Sequence, residues 1–162
     1  MNYLTILKND VKQMKQQLQT AYDRSTYRFR EEGCFAVDRC HLLGLVPLYY
    51  DYEMLIGRMD LTLLEMIIRY ESEQNGDVLL GDMLHVMSEQ RAMIKNRAPH
   101  IELMKLLHNS DTDITKFHQL LELRTLHDLV VSCVSMDATI DYINRKLEKW
   151  KAETERAKNY YN

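Results

Sequence analysis

Between Asp113 and Tyr160 the chain contains neither proline nor glycine, the two residues that most readily end regular structure. So long a run without a breaker predicts one amphipathic helix against which everything upstream must pack. Ser110-Asp111-Thr112-Asp113 supplies side-chain oxygens to accept the free N–H groups of a first turn, and Ile114 and Phe117 open an apolar face just afterwards. From Leu126 the apolar positions Val130, Cys133, Met136, Ile140, Ile143, Leu147 and Trp150 follow at steps mostly of three and four. Thr154, Ala157 and Tyr161 continue the pattern, which is the spacing of a coiled-coil seam. Two consecutive three-residue steps, Val130 to Cys133 to Met136, predict local overwinding. Unbroken, about 48 residues rising 1.5 Å each span roughly 70 Å, against about 30 Å for a compact domain of this length. The helix is therefore expected either to break near Ser132 to Met136 or to project and meet a partner.

A second helix with an equally narrow stripe is expected at the start of the chain. Leu4, Leu7, Val11, Met14, Leu18 and Ala21 alternate steps of three and four within Tyr3 to Glu32, polar residues fill the spaces, and Gly33 ends the run. Two narrow stripes suit each other, so residues 3–32 and 137–161 are expected to pair as a coiled-coil-like projection, within one chain or between chains.

The middle of the chain reads as further helices. Cys34 to Leu43 forms a short connector closed by Gly44 and Pro47. Leu48 to Gln74 carries the most regular pattern, Tyr52, Ile56, Met59, Leu63, Met66 and Tyr70 flanked by Leu55 and Ile67, and is expected to be the central core helix. Gly57 inside it suggests a close crossing by another helix. Asn75-Gly76-Asp77 reverses the chain into a helix from Val78 to Asn96, with Met83, Val86, Met87 and Ile94 inside, which makes an αα-hairpin. Ala98-Pro99 interrupts it, and Pro99 starts a last short helix ending near Asn109. The expected fold is all-α: a single domain over 1–162, built as a multi-helix bundle of about six helices.

A chain of 162 residues with 46% hydrophobic and 28% charged residues, five Gly and two Pro can bury a core from long elements. No stretch approaches 18 consecutive apolar residues, and Lys8, Asn9 and Asp10 stand where a signal peptide needs its apolar run, so a cytoplasmic protein without a membrane span is expected. A net charge of −3 and a pI near 6.1 disfavour a dedicated nucleic-acid binder. The charge is uneven. Residues 51–82 hold eight carboxylates against Arg58 and Arg69, while residues 145–158 hold six bases against Glu148, Glu153 and Glu155.

Catalytic and metal motifs are weak. Asp82-x-x-His85 and His118-x-x-x-Glu122 each place a pair on one helical face, but carboxylate-bridged metal bundles need a second Glu-x-x-His and two more Glu. Cys34, Cys40 and His41, with Asp38 between them and Cys133 far away, lack the spacing of a structural zinc site; reduced thiols are expected. Adjacent residues 40 and 41 diverge by about 100° on a helix, which separates a nucleophile from its base. Gly76 and Gly81 are not followed by Lys-Ser or Lys-Thr, so no phosphate loop is present.

Tyrosines point elsewhere. Tyr49, Tyr50 and Tyr52 cannot share one helix face, and Tyr142, Tyr160 and Tyr161 lie off or at the end of the seam. With Leu147 and Trp150, the residues Tyr49, Tyr50, Tyr142, Tyr160 and Tyr161 are the candidate protein-interface positions. The expected function is a non-enzymatic helical interaction module, an adaptor, scaffold or inhibitor of a protein partner, without cofactor or metal and assembling as a homo-oligomer. A phage or mobile-element inhibitor fits this description. Two alternatives stand beside it. One is a metal-dependent bundle enzyme using Asp82, His85, His118 and Glu122; the other is nucleic-acid binding through Lys146, Lys149, Lys151, Arg156 and Lys158.

Overall fold

The structure, a computed structural model, describes residues 3–31, 43–73, 84–85, 87–92 and 116–161. Among these residues there are four helices and no strand: α1, Tyr3–Glu31; α2, Val46–Glu73; α3, helical residues 84–85 and 87–92; and α4, Lys116–Tyr161. The all-α class and the long last helix are as expected, whereas the count of six is not reached among the described residues. The helices expected over Cys34 to Leu43 and from Pro99 to Asn109 lie outside them, apart from Leu43 itself, and so does the Asn75-Gly76-Asp77 turn.

α4 is unbroken over 46 residues, about 69 Å at 1.5 Å per residue. Its buried line is Leu126, Leu129, Cys133, Met136, Ile140, Ile143 and Leu147. The steps alternate three and four throughout, so the overwinding expected from Val130 is absent. Leu129 and Val130 are both apolar, and periodicity alone does not choose between them. The packing partner does, burying Leu129 and leaving Val130 half-covered beside the seam.

That partner is α1, which buries Leu4, Leu7, Val11, Met14, Leu18 and Ser25. Ser25 Oγ donates to Glu122 Oε1 at 2.5 Å and fixes the register. Counting back along α1 from Ser25 gives Ala21, Leu18, Met14, Val11, Leu7 and Leu4. Counting forward along α4 from Glu122 gives Leu126, Leu129, Cys133, Met136, Ile140 and Ile143, in the same alternation of four and three. The two helices are therefore antiparallel with their layers in step. The Lys8–Asp141 ion pair and the Tyr22–His127 ring contact, with centroids 6.0 Å apart, agree with that register.

The pairing of the two narrow stripes thus occurs inside one chain. Within the described residues α1 follows α4 back as far as Glu122, and α2 meets both. Arg58 Nη1 meets Asp10 Oδ2 of α1 at 2.7 Å, and Tyr52 Oη donates to Ser132 Oγ of α4 at 2.6 Å. Met66 of α2 shares a cleft with Leu147 of α4, so α2 and α4 run parallel and α1 is antiparallel to both. The element in close contact with both long neighbours is α1 rather than the Leu48 to Gln74 helix expected at the centre. Tyr49, Tyr52, Leu55, Met59 and Leu63 of α2 fill the space beside the α1–α4 pair. α3 lies across α2 and α4: Met87 is buried, Arg91 Nε pairs with Asp60 Oδ1 at 2.9 Å, and Thr139 Oγ1 donates to Gln90 Oε1 at 3.0 Å.

Pro47 belongs to the first turn of α2 instead of closing the segment before it, since a first-turn residue needs no N–H donor. The Tyr49 N–H then bonds Leu45 O at 3.1 Å. Among the described residues no helix crosses closely at Gly57: a Cβ built there meets nothing within 4 Å.

Candidate protein-interaction surface

The structure separates the sequence candidates. Tyr49 and Tyr52, three apart, share the inward face of α2 and are buried, while Tyr50 between them is exposed. Burial and the nearby Glu122 carboxylate push the Tyr49 phenol well above its ordinary value. Leu147 is buried in the seam and Trp150 is half-buried against it, so neither Tyr49 nor Leu147 presents a free side chain. Tyr142 is exposed, with Lys146 Nζ 5.5 Å from its ring centroid. The backbones of Tyr160 and Tyr161 close α4, and their side chains lie outside the described residues.

Two outward apolar stripes escaped the sequence reading. On α2, Tyr50, Met54, Leu61 and Ile68 are exposed on the face opposite Tyr52, Leu55, Met59 and Leu63; on α4, Leu120, Val131, Val134 and Tyr142 are exposed opposite the seam. The signal was present as the seven-residue spacing of Met54, Leu61 and Ile68. It was masked because a helix apolar on most sides reads as buried all round. α1 has no such stripe over its middle; its outer face there carries Lys12, Lys15, Gln16 and Gln19.

A cleft of about 470 Å³ opens where α1, α2 and α4 meet, floored by Leu4, Met66 and Leu147 and edged by Glu65, Arg69, Glu148 and Lys151. It places no histidine or cysteine among those walls. Of the metal alternative, His85 is exposed and pairs with Glu89 at 3.1 Å. Glu122 is buried and accepts from Ser25, while Asp82 and the His118 side chain lie outside the described residues. No group of three or more His, Cys, Asp or Glu with metal-binding geometry occurs among the described residues. Cys34, Cys40 and His41 also fall outside them. Cys133 is buried in the seam, where burial pushes its thiol up to about 12 despite the opposing pull of Lys15. A thiol held protonated is a poor nucleophile. Of the basic set, Lys149, Lys151 and Arg156 are exposed and Lys146 is half-buried, while the Lys158 side chain is not among the described residues.

No described helix is long and apolar enough to cross a membrane. Compared with known proteins, the chain matches no family model, no curated protein and no solved structure.

Proposed function

We propose that the protein is a non-enzymatic helical interaction module, an adaptor, scaffold or inhibitor that acts by binding a protein partner. The observation that carries this reading is the pair of outward apolar stripes on α2 and α4, each set opposite a face already committed to the chain's own core. Scattered exposed apolar residues are ordinary, but aligned ones on a rigid helix form the kind of ridge into which a partner helix packs. The long α1–α4 seam supplies the rigidity. Binding by such a surface needs neither a cofactor nor a metal.

The test is quantitative capture of partners by the full chain and by two charged-face variants, Leu61→Glu and Val131→Glu, with helicity and melting temperature recorded for each. Stoichiometric capture by the unchanged protein, lost in at least one folded variant, supports the reading. Capture indifferent to both substitutions contradicts it. So does a reproducible mass increment of a metal or small ligand in a native mass spectrum of untagged protein purified without chelator, which would favour the metal-dependent alternative.

A further inference from the structure

Resting on the interaction reading, we propose that the outer face of α2 is a docking site for a basic amphipathic helix of a partner protein. Tyr50, Met54, Leu61 and Ile68 are 47%, 67%, 58% and 57% exposed and stand on one face at steps of four and seven. Gly57 falls on the same line, three residues after Met54 and four before Leu61, and completes a heptad stripe with a notch at its centre. A glycine inside a helix is unfavourable, and among the described residues nothing within 4 Å of its missing Cβ explains it. The notch is open to receive an apolar knob from outside.

Charge selects the occupant. α2 carries six carboxylates, Asp51, Glu53, Asp60, Glu65, Glu71 and Glu73, against Arg58 and Arg69, and has no base in its last turn. Arg58 is engaged by Asp10, and Asp60 by Arg91. Asp51 and Glu65 stand exposed along one rim of the stripe. Acids near a helix C-terminus oppose the macrodipole, so this surface favours positive charge brought from outside. A second copy is disfavoured. Antiparallel self-pairing of this stripe sets Asp51 against Glu65 and Asp60 against Asp60, and like charges facing across such a seam repel.

The proposal is tested with two synthetic three-heptad peptides that share one Leu/Ile face, flanked by Lys and Arg in the first and by Glu in the second. Each is titrated against the full-length protein by fluorescence anisotropy. The basic peptide is expected to bind at least about tenfold more tightly, and Gly57→Leu and Leu61→Glu each to weaken it at least about tenfold with the melting temperature retained. Four results overturn the proposal: equal affinity for the two peptides, no binding of either, a dimer dissolved by Leu61→Glu, or a melting temperature collapsed by that substitution, which would mean the chain itself covers the face. If these occur while partner capture still depends on Val131, the docking proposal alone fails. If capture depends on neither face, the interaction reading fails with it.

Discussion

The two ends of the α1–α4 seam share one geometry and differ in chemistry. From Leu4 to Leu18, opposite Leu129 to Ile143, the facing seam residues are apolar, with Ser132 buried to one side where Tyr52 bonds it; toward the other end Ser25, Gln119, Glu122 and Thr125 are buried. An apolar seam with a seven-residue repeat is degenerate, because sliding one helix by a heptad still places apolar residues on apolar residues. The Ser25–Glu122 bond is not degenerate, since a slip would leave a buried carboxylate facing hydrocarbon. The apolar end supplies most of the stability, and the polar end sets which layer meets which.

The largest expected effect breaks the apolar end. Leu129→Ala removes a fully buried side chain and is expected to cost about 2–5 kcal/mol in urea unfolding, depending on how far the seam collapses around the cavity. The polar end answers differently. Ser25→Ala withdraws a donor from buried Glu122 and is expected to cost about 1–3 kcal/mol, whereas the double variant Ser25→Ala/Glu122→Leu recovers much of that loss. A double variant as unstable as the sum of the single changes would remove the distinction between the ends.

Alkaline pH probes both ends together. The Cys133 thiol rises from 9.0 to about 12 in the folded chain, and the Tyr49 phenol also rises from 10.0, both chiefly through burial. A group whose folded pKa is raised contributes stability that is complete below its unfolded value and is lost as pH climbs from there toward the folded value. Stability is therefore expected to hold up to about pH 9 and to fall by roughly 1–2 kcal/mol by pH 10. Cys133→Ala should flatten part of that slope. The smallest effect serves as a reference outside the seam: Gly57→Ala adds a methyl group to open space and is expected to stabilise α2 by up to about 1 kcal/mol in thermal melts.

Much of the fold was legible because its signals are local. The apolar line of α1, Leu4, Leu7, Val11, Met14, Leu18 and Ala21, is buried or half-buried as its spacing predicts, and the absence of Pro and Gly correctly marks α4 as long. What was not legible depends on partners distant in sequence. Whether Leu129 or Val130 enters the seam is decided by α1, and whether Tyr49 or Tyr50 turns inward is decided by where α2 lies. The polar layer was hidden for a related reason. Glu122 alone reads as a surface residue or a possible ligand, and Ser25, 97 positions earlier, gives its burial a cause. The α2 and α4 outer stripes were missed because apolar residues beyond the best stripe look like more core.

The central claim is the antiparallel register of α1 and α4 within one chain, which puts Met14 in the layer of Cys133. A chain carrying Met14→Cys, with Cys34→Ser and Cys40→Ser to leave one native thiol, would be treated at low concentration with dibromobimane, a short dithiol cross-linker, and analysed by peptide mass. A 14–133 cross-link at the mass of a single chain is expected, and none for the variant Gln16→Cys on the same background, an exposed position whose side chain points about 160° away from that of Met14. A link found only between two chains, or no reaction at position 14 while Gln16→Cys reacts, would contradict the register.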